Sequence, residues 1–213
     1  MLNRLREKLT TEYLGRNIEY HETIESTQLR AKELAKEKIP NGTIVMAGMQ
    51  TNGIGTHGRK WLTDKDKNIL MTMILFPECK IEKLEGLTIM IANTLKEVIY
   101  DLYKIEAHVK IPNDLMLNSK KIAGILTETK VENEIVKTLF VGIGMNVNQE
   151  KFPEEIENIA TSLKNEIGEE FDKEQLVSEF LSRFEREFLS GGTRRSLSLL
   201  NSFYNLRCNY CCY

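Results

Sequence analysis

Apolar positions change period several times along this chain, and each change marks an element. From residue 82 to 103, Leu84, Leu87, Ile91, Leu95, Val98 and Leu102 recur three or four apart, which predicts an amphipathic helix. The spacing returns from Phe171 to Leu189, where Leu176, Phe180, Phe184 and Phe188 fall at i+4. Ser26 can cap a third helix running to about Lys38, with Leu29, Leu34 and Ala35 as its apolar residues. Leu2 to Leu9 predicts a short helix. Elsewhere the pattern is that of strands, at 17–21, 43–47, 68–76, 106–111, 114–117, 121–131 and 135–144. Asn118-Ser-Lys turns a hairpin, and Pro112 falls at a break between two short strands. Strands that come in hairpins rather than in regular βα alternation predict an α+β fold. Its mixed sheet is mainly antiparallel, with flanking helices packed on one side.

Composition narrows the class. The 213 residues suffice for one good-sized domain, alone or with a small appendage. Hydrophobic residues at 41% and charged ones at 28% are those of a soluble globular protein. A net charge of −2 gives no sign of a nucleic-acid partner. No apolar run approaches the ~20 residues of a membrane span. Met1-Leu-Asn-Arg-Leu-Arg lacks a signal-peptide core, so the chain reads as cytoplasmic and free of the membrane. Cys79 stands alone, whereas Cys208, Cys211 and Cys212 crowd the end. With His21, His57 and His108 scattered, these read as an incidental tail and no protein-held metal is expected.

The densest chemistry lies in Gln50-Thr-Asn-Gly-Ile-Gly-Thr-His-Gly-Arg-Lys-Trp61. Glycines let a backbone approach a ligand and turn its N–H groups toward negative charge. Arg59 and Lys60 add positive charge, and Trp61 offers a flat apolar face. The loop therefore suits an anion attached to something planar. Gly53, Gly55 and Gly58 match the dinucleotide pattern, but residues 59–68 carry no helical stripe, so that context fails. A phosphate-binding P-loop fails as well, because Arg59-Lys60 stands where Lys-Ser/Thr is required. A plain glycine-rich hairpin is the alternative.

Three further segments change the weight of this loop. They are Ile24-Glu-Ser-Thr-Gln28, then Lys110-Ile-Pro-Asn-Asp114 running into Lys120-Lys-Ile-Ala-Gly-Ile-Leu-Thr-Glu128, and Val141-Gly-Ile-Gly-Met-Asn-Val-Asn148. In order and spacing, the four segments resemble the catalytic domain of biotin–protein ligases, from about Gly15 to Leu163. The resemblance implies a fold like that of class II aminoacyl-tRNA synthetases and biotin–lipoate ligases. It implies an enzyme that joins biotin to ATP, with Mg²⁺, giving biotinyl-5′-AMP. Biotin then passes to a lysine of a biotin carboxyl carrier protein domain. Lys121 would lie between the biotin carboxylate and the adenylate phosphate, with Lys120 an ordinary solvated lysine. Asp114 would act at the metal or at the acceptor amine, and Arg59 would meet the phosphates. Ser26, Thr27, Gln28, Gln50, Gly53, Ile54, Gly55 and Thr56 would hold biotin; Ser26 and Thr27 have capping as a second use. Trp61, Asn113 and Asn146 would serve the nucleotide, although Asn113 and Asp114 also suit a turn.

The sequence departs from the family pattern in places. Gln28 stands where asparagine is usual, Thr56 where arginine is common and Ile111 where tryptophan is common. An arginine at 56 would help retain the adenylate; the Thr56 hydroxyl, His57 and Arg59 are the candidates to compensate. Residues 1–190 are expected to form the catalytic domain. Fewer than 15 residues precede the matching region, which predicts no DNA-binding winged helix. Residues 191–213 read as an atypical tail in place of the family's C-terminal β-barrel. Two alternatives to the biotin ligase remain: a lipoate–protein ligase, and a biotin-binding remnant that does not transfer. A homodimer is left open.

Overall fold

The computed structural model describes residues 2–189. In chain order it begins with helix α1 (Leu2–Lys8), strand β1 (Ile18–His21), helix α2 (Thr27–Leu34) and strand β2 (Thr43–Ala47). A small hairpin of β3 (Gly53–Ile54) and β4 (Lys60–Trp61) follows, then β5 (Ile69–Leu75), β6 (Cys79–Lys80) and α3 (Leu87–Tyr103). The second half holds β7 (His108–Lys110), β8 (Asp114–Leu117), β9 (Lys120–Glu132) and β10 (Ile135–Met145). Helices α4 (Leu163–Ile167) and α5 (Lys173–Leu189) close it.

One sheet runs in the order β1-β2-β5-β10-β9-β8-β7, with β6 attached to β10. β1 and β2 are parallel and the other neighbours antiparallel, so the sheet is mixed as expected. Asn118 and Ser119 turn β8 into β9 with φ of 47° and 67°, the doubly left-handed geometry of a tight hairpin.

Register decides what each face carries. On one face lie Ile69, Met71, Met73 and Leu75 of β5, with Leu139, Val141, Ile143 and Met145 of β10. They pack with Leu5 of α1, Ile91, Leu95 and Val98 of α3, and Phe180 and Phe184 of α5. Phe180 stacks on Phe184 at 5.7 Å and Phe184 on Phe188 at 5.4 Å. Cutting Phe184, which is fully buried, to Ala would cost about 3–5 kcal/mol. The other face is not bare. Val45, Ile74 and Phe140 meet Ala31 and Leu34 of α2 there, so helices flank both sides and not one. The reason is legible in β5, which is buried at all seven positions and therefore needs cover twice.

Two predicted helices shrink for local reasons. Gly86 takes φ 79°, outside any helix, so the 82–103 segment splits into a 3-10 turn at Ile81–Leu84 and α3. α2 stops at Leu34 because Lys36, Glu37 and Lys38 are exposed and have no packing to hold them helical. Helix α4 had not been expected, although Ser162 caps Asn165 N at 3.1 Å and Gly168 ends it at φ 92°. Among the described residues, no helix is long and apolar enough to cross a membrane. The expectations for residues 191–213 and for Cys208, Cys211 and Cys212 fall outside the described residues.

Candidate active site

The face of the sheet that α2 partly covers opens into a cavity beyond the helix N-terminus. Its floor follows from register. Gly142 pairs with Thr72, and Gly144 with Gly124, so three of these four neighbouring positions carry no side chain. The run Val141-Gly-Ile-Gly-Met145 thus feeds the core with every second residue and leaves the opposite face clear. Ser26, Thr27 and Gln28 line one side of this inner cavity, and Gln50, Ile54, Gly55 and Thr56 another.

Its polar groups are oriented by one another. Ser26, 1% exposed, caps α2 by accepting from Gln28 N at 3.2 Å. Thr27 donates to Gln50 Oε1 from its backbone N at 2.7 Å and from its hydroxyl at 3.0 Å. A backbone N–H can only donate, so the Gln50 oxygen faces Thr27 and its Nε2 points elsewhere. Gln28, 3% exposed, gives an Nε2 proton to Glu128 Oε2 at 2.7 Å, and its Oε1 accepts from Thr72 at 3.1 Å. Lys32 donates to Glu128 Oε1 at 2.8 Å and stands as close to Oε2. Burial pushes the Glu128 carboxyl up, but the hydrogen bonds from Lys32 and Gln28 outweigh it and hold it below its ordinary value.

A second, outer cavity adjoins the first, and Gly55, Thr56, Trp61 and Lys121 belong to both. Arg59, Lys60, Lys110 and Lys121 line it against a single carboxylate, Asp114. Its far wall is apolar, with Phe152, Ile156 and Ile159. This wall is fastened to the lysine: Lys121 N donates to Ile159 O at 2.8 Å, and Thr161 N donates to Lys121 O at 3.0 Å. Lys121 Nζ stands 2.6 Å from Asp114 Oδ1 and 5.3 Å from the centre of the Trp61 ring. The Lys121 ammonium is thus ion-paired to Asp114, whose Oδ1 is shielded from solvent. The indole lies so close to the sheet that a Cβ on Gly144 would be 2.5 Å from its Cε2.

The structure gathers most of the residues expected at a site, and it sorts them. Ser26, Thr27, Gln28, Gln50 and Ile54 stand on the inner cavity, and Arg59, Asp114 and Asn146 on the outer one. Asn113 lies on the inner cavity and not on the outer, its amide donating to Ile125 O at 3.1 Å. Gly53 lines neither; its role is steric, since a Cβ there would come within 2.6 Å of Trp61 O. Arg59 reaches back to Thr56, donating to its hydroxyl at 3.0 Å and to its carbonyl at 3.2 Å. Lys120 is tied to the Glu157 carbonyl at 2.8 Å, away from both cavities. Asn146, 3% exposed, donates to Thr161 O at 3.0 Å and leaves its Oδ1 buried without a partner.

Thr72, Glu128, Lys32 and the 152–160 wall had not been singled out. The signal for Thr72 was a polar residue inside the strand Asn68–Phe76, and for Glu128 an acid in strand alternation with Gly124. The wall carries no periodic signal. Among the described residues no cluster of three His, Cys, Asp or Glu could hold a metal ion. Asp114 alone fits only an ion that arrives on a nucleotide's phosphates and keeps most of its waters.

Comparison with known proteins agrees with this geometry. Residues 20–146 match the model of the Biotin/lipoate A/B protein ligase family. The bifunctional ligase/repressor BirA of Bacillus subtilis is 38% identical over 182 residues, which is 84% of this chain and 56% of that protein. The biotin--[acetyl-CoA-carboxylase] ligase of Mycobacterium tuberculosis is 26% identical over 153 residues, 70% of this chain and 55% of that protein. The chain thus spans little more than half the length of these curated relatives. The biotin protein ligase from Aquifex aeolicus in complex with biotin and ATP superposes with a TM-score of 0.69 at 30% identity, covering 81% of this chain and 72% of that one. The family match runs across both sides of the inner cavity and through Lys121 and Asn146. This chain belongs to the biotin/lipoate A/B protein ligase family.

Proposed function

We propose that this chain activates biotin with ATP and passes the biotinyl group to a lysine of a carrier domain. The observation that carries this reading is the meeting of two unlike cavities at Lys121. A ureido ring has a carbonyl acceptor and two N–H donors, which the Gln50 amide nitrogen and the Gln28 carbonyl complement. A nucleotide has a flat base and phosphates, which the apolar wall and the four cations complement.

Activation requires a carboxylate oxygen to attack the α-phosphorus of ATP while pyrophosphate leaves. Two anionic charges 4 Å apart repel by about 4 kcal/mol at an effective dielectric near 20. Lys121 at the junction offsets that repulsion, and its charge grows in value as the carboxylate closes on phosphorus. In the transfer step, the acceptor lysine attacks the acyl carbon, AMP leaves and the amine loses a proton. Asp114, the single carboxylate of the outer cavity, is the group assigned to orient that amine and take the proton. Trp61 and Asn146 are assigned to the base: the indole as a flat surface, the Asn146 Oδ1 as an acceptor for an amino group. Use of ATP fits a cytoplasmic enzyme.

Lipoate is the rival substrate of the family. Its dithiolane has neither N–H nor C=O, so it would leave the Gln50 amide nitrogen dry and without an acceptor, at about 1–3 kcal/mol. The test is to mix the protein with MgATP, a biotin-carrier domain and either biotin or lipoate, and to weigh the carrier. A mass gain with biotin is expected. A gain with lipoate alone, or none with biotin, would overturn the reading.

A further inference from the structure

Glu128 lies behind the inner cavity, on the same sheet face as Gly124 and opposite Phe140 of β10. It is not among the inner cavity's lining residues, so it has no direct reach to a ligand there. What it holds is Gln28. A carboxylate can only accept, and a lysine ammonium can only donate. With the Lys32 ammonium 2.8 Å from both of its oxygens, Glu128 stays charged, and its Oε2 at 2.7 Å demands the Gln28 nitrogen. The amide of Gln28 is therefore not free to flip. Its Oε1 is turned to the floor, between the Thr72 hydroxyl at 3.1 Å and the backbone of Gly142. A Cβ at Gly142 would stand 2.7 Å from that oxygen, so a glycine is needed there for it to lie where it does.

The Gln50 end is set separately. The Thr72 proton goes to Gln28 Oε1 and the Thr27 hydroxyl proton to Gln50 Oε1, which also accepts from the Thr27 backbone N–H at 2.7 Å. The pocket thus holds one acceptor, Gln28 Oε1, and one donor, Gln50 Nε2, on two chemically identical amide side chains. Nothing in an amide itself fixes this polarity; the carboxylate fixes one end and the Thr27 backbone the other.

We propose that Glu128, held by Lys32, is a positioning residue that sets the hydrogen-bond polarity of the ring pocket, so that it selects a ring N–H beside Gln28. This deepens the proposed function and rests on it. Glu128→Gln is nearly isosteric but can donate or accept, so Gln28 would be released to present either end.

The experiment measures the affinity of the parent chain and of Glu128→Gln for biotin and for two cyclic carbamate analogues, each with a different ring N–H replaced by oxygen. The parent should reject at least one carbamate by tenfold or more. In Glu128→Gln that ratio should fall by about tenfold, with KM for biotin raised, kcat within about twofold and the melting temperature kept. Gln28→Asn, too short to reach Glu128, should make the effect of Glu128→Gln vanish in the double variant. If Glu128→Gln weakens all three ligands equally, or changes none, the inference is wrong while the biotin reading stands. If the parent binds no biotin, both fall together.

Discussion

The inner and outer cavities share a border at Trp61 and Lys121, yet they are built on opposite plans. In the inner one the amides of Gln28, Gln50 and Asn113 are each engaged within the protein, and their orientations follow from the partners. In the outer one Asn146 Oδ1 is buried without a hydrogen-bond partner, as is Nε1 of the shared Trp61, Asp114 has only the Lys121 ammonium beside its Oδ1, and Arg59 is exposed. A neutral ring brings few strong interactions of its own, so its site has to be shaped in advance. A polyanion brings charge and ordered water, so its site can hold unsatisfied groups that the ligand completes. The difference teaches which half is expected to change on binding: the outer one.

The sharpest break in this comparison is at the border. Lys121→Ala should slow biotin-dependent pyrophosphate release by 10²–10³, a loss of about 3–4 kcal/mol of transition-state stabilisation. Biotin affinity should change far less, since Lys121 meets the inner cavity only at its border with the outer one. Near-parental turnover would remove Lys121 from its role. Gly144→Ala tests the floor of the inner cavity beneath the shared indole: its methyl would meet that ring at 2.5 Å and drive it off the sheet. We expect about 1–3 kcal/mol of lost stability from overpacking. Trp61 is the single tryptophan, so its emission should shift to the red; an unchanged spectrum would mean that the ring does not rest there.

The sequence made the inner cavity more legible than the far wall of the outer one, for a physical reason. Ser26, Thr27, Gln28 and Gln50 are local to a helix cap and a strand end, and glycines at 142 and 144 stand out in an apolar strand. The long periodic elements α3, α5, β9 and β10 were readable because each buries one regular face. By contrast β6 has two residues, and 152–160 is held by backbone hydrogen bonds and isolated apolar contacts that leave no period. Glu128 and Lys32 look like surface charges in a linear string. Only register and the turn of α2 bring them to Gln28.

Smaller effects refine the picture. Ser26→Ala removes the cap of α2 and a hydroxyl of the ring pocket. About 1 kcal/mol of stability should go, lowering the melting temperature by roughly 2–4 °C. Biotin should bind less than tenfold more weakly, since the Gln28 and Gln50 contacts remain. A larger stability loss with unaltered binding would make Ser26 a cap and nothing more. The least effect is expected from Thr56→Arg. Arg59 already lays its guanidinium on Thr56, so a second cation would add under about 1 kcal/mol to retention of the adenylate. Off-rates of purified biotinyl-adenylate measure this; a tenfold slowing would show that Arg59 leaves the position unserved.

The packing of the sheet on α5 also orders events during synthesis. Every residue around the inner cavity lies between positions 26 and 144, whereas the outer cavity needs the chain as far as Ala160. Possessing those residues is not the same as possessing the pocket, because the sheet beneath it packs its other face on Phe180 and Phe184 of α5. Both cavities therefore wait for the same C-terminal helix, and the domain gains its inner and outer halves together.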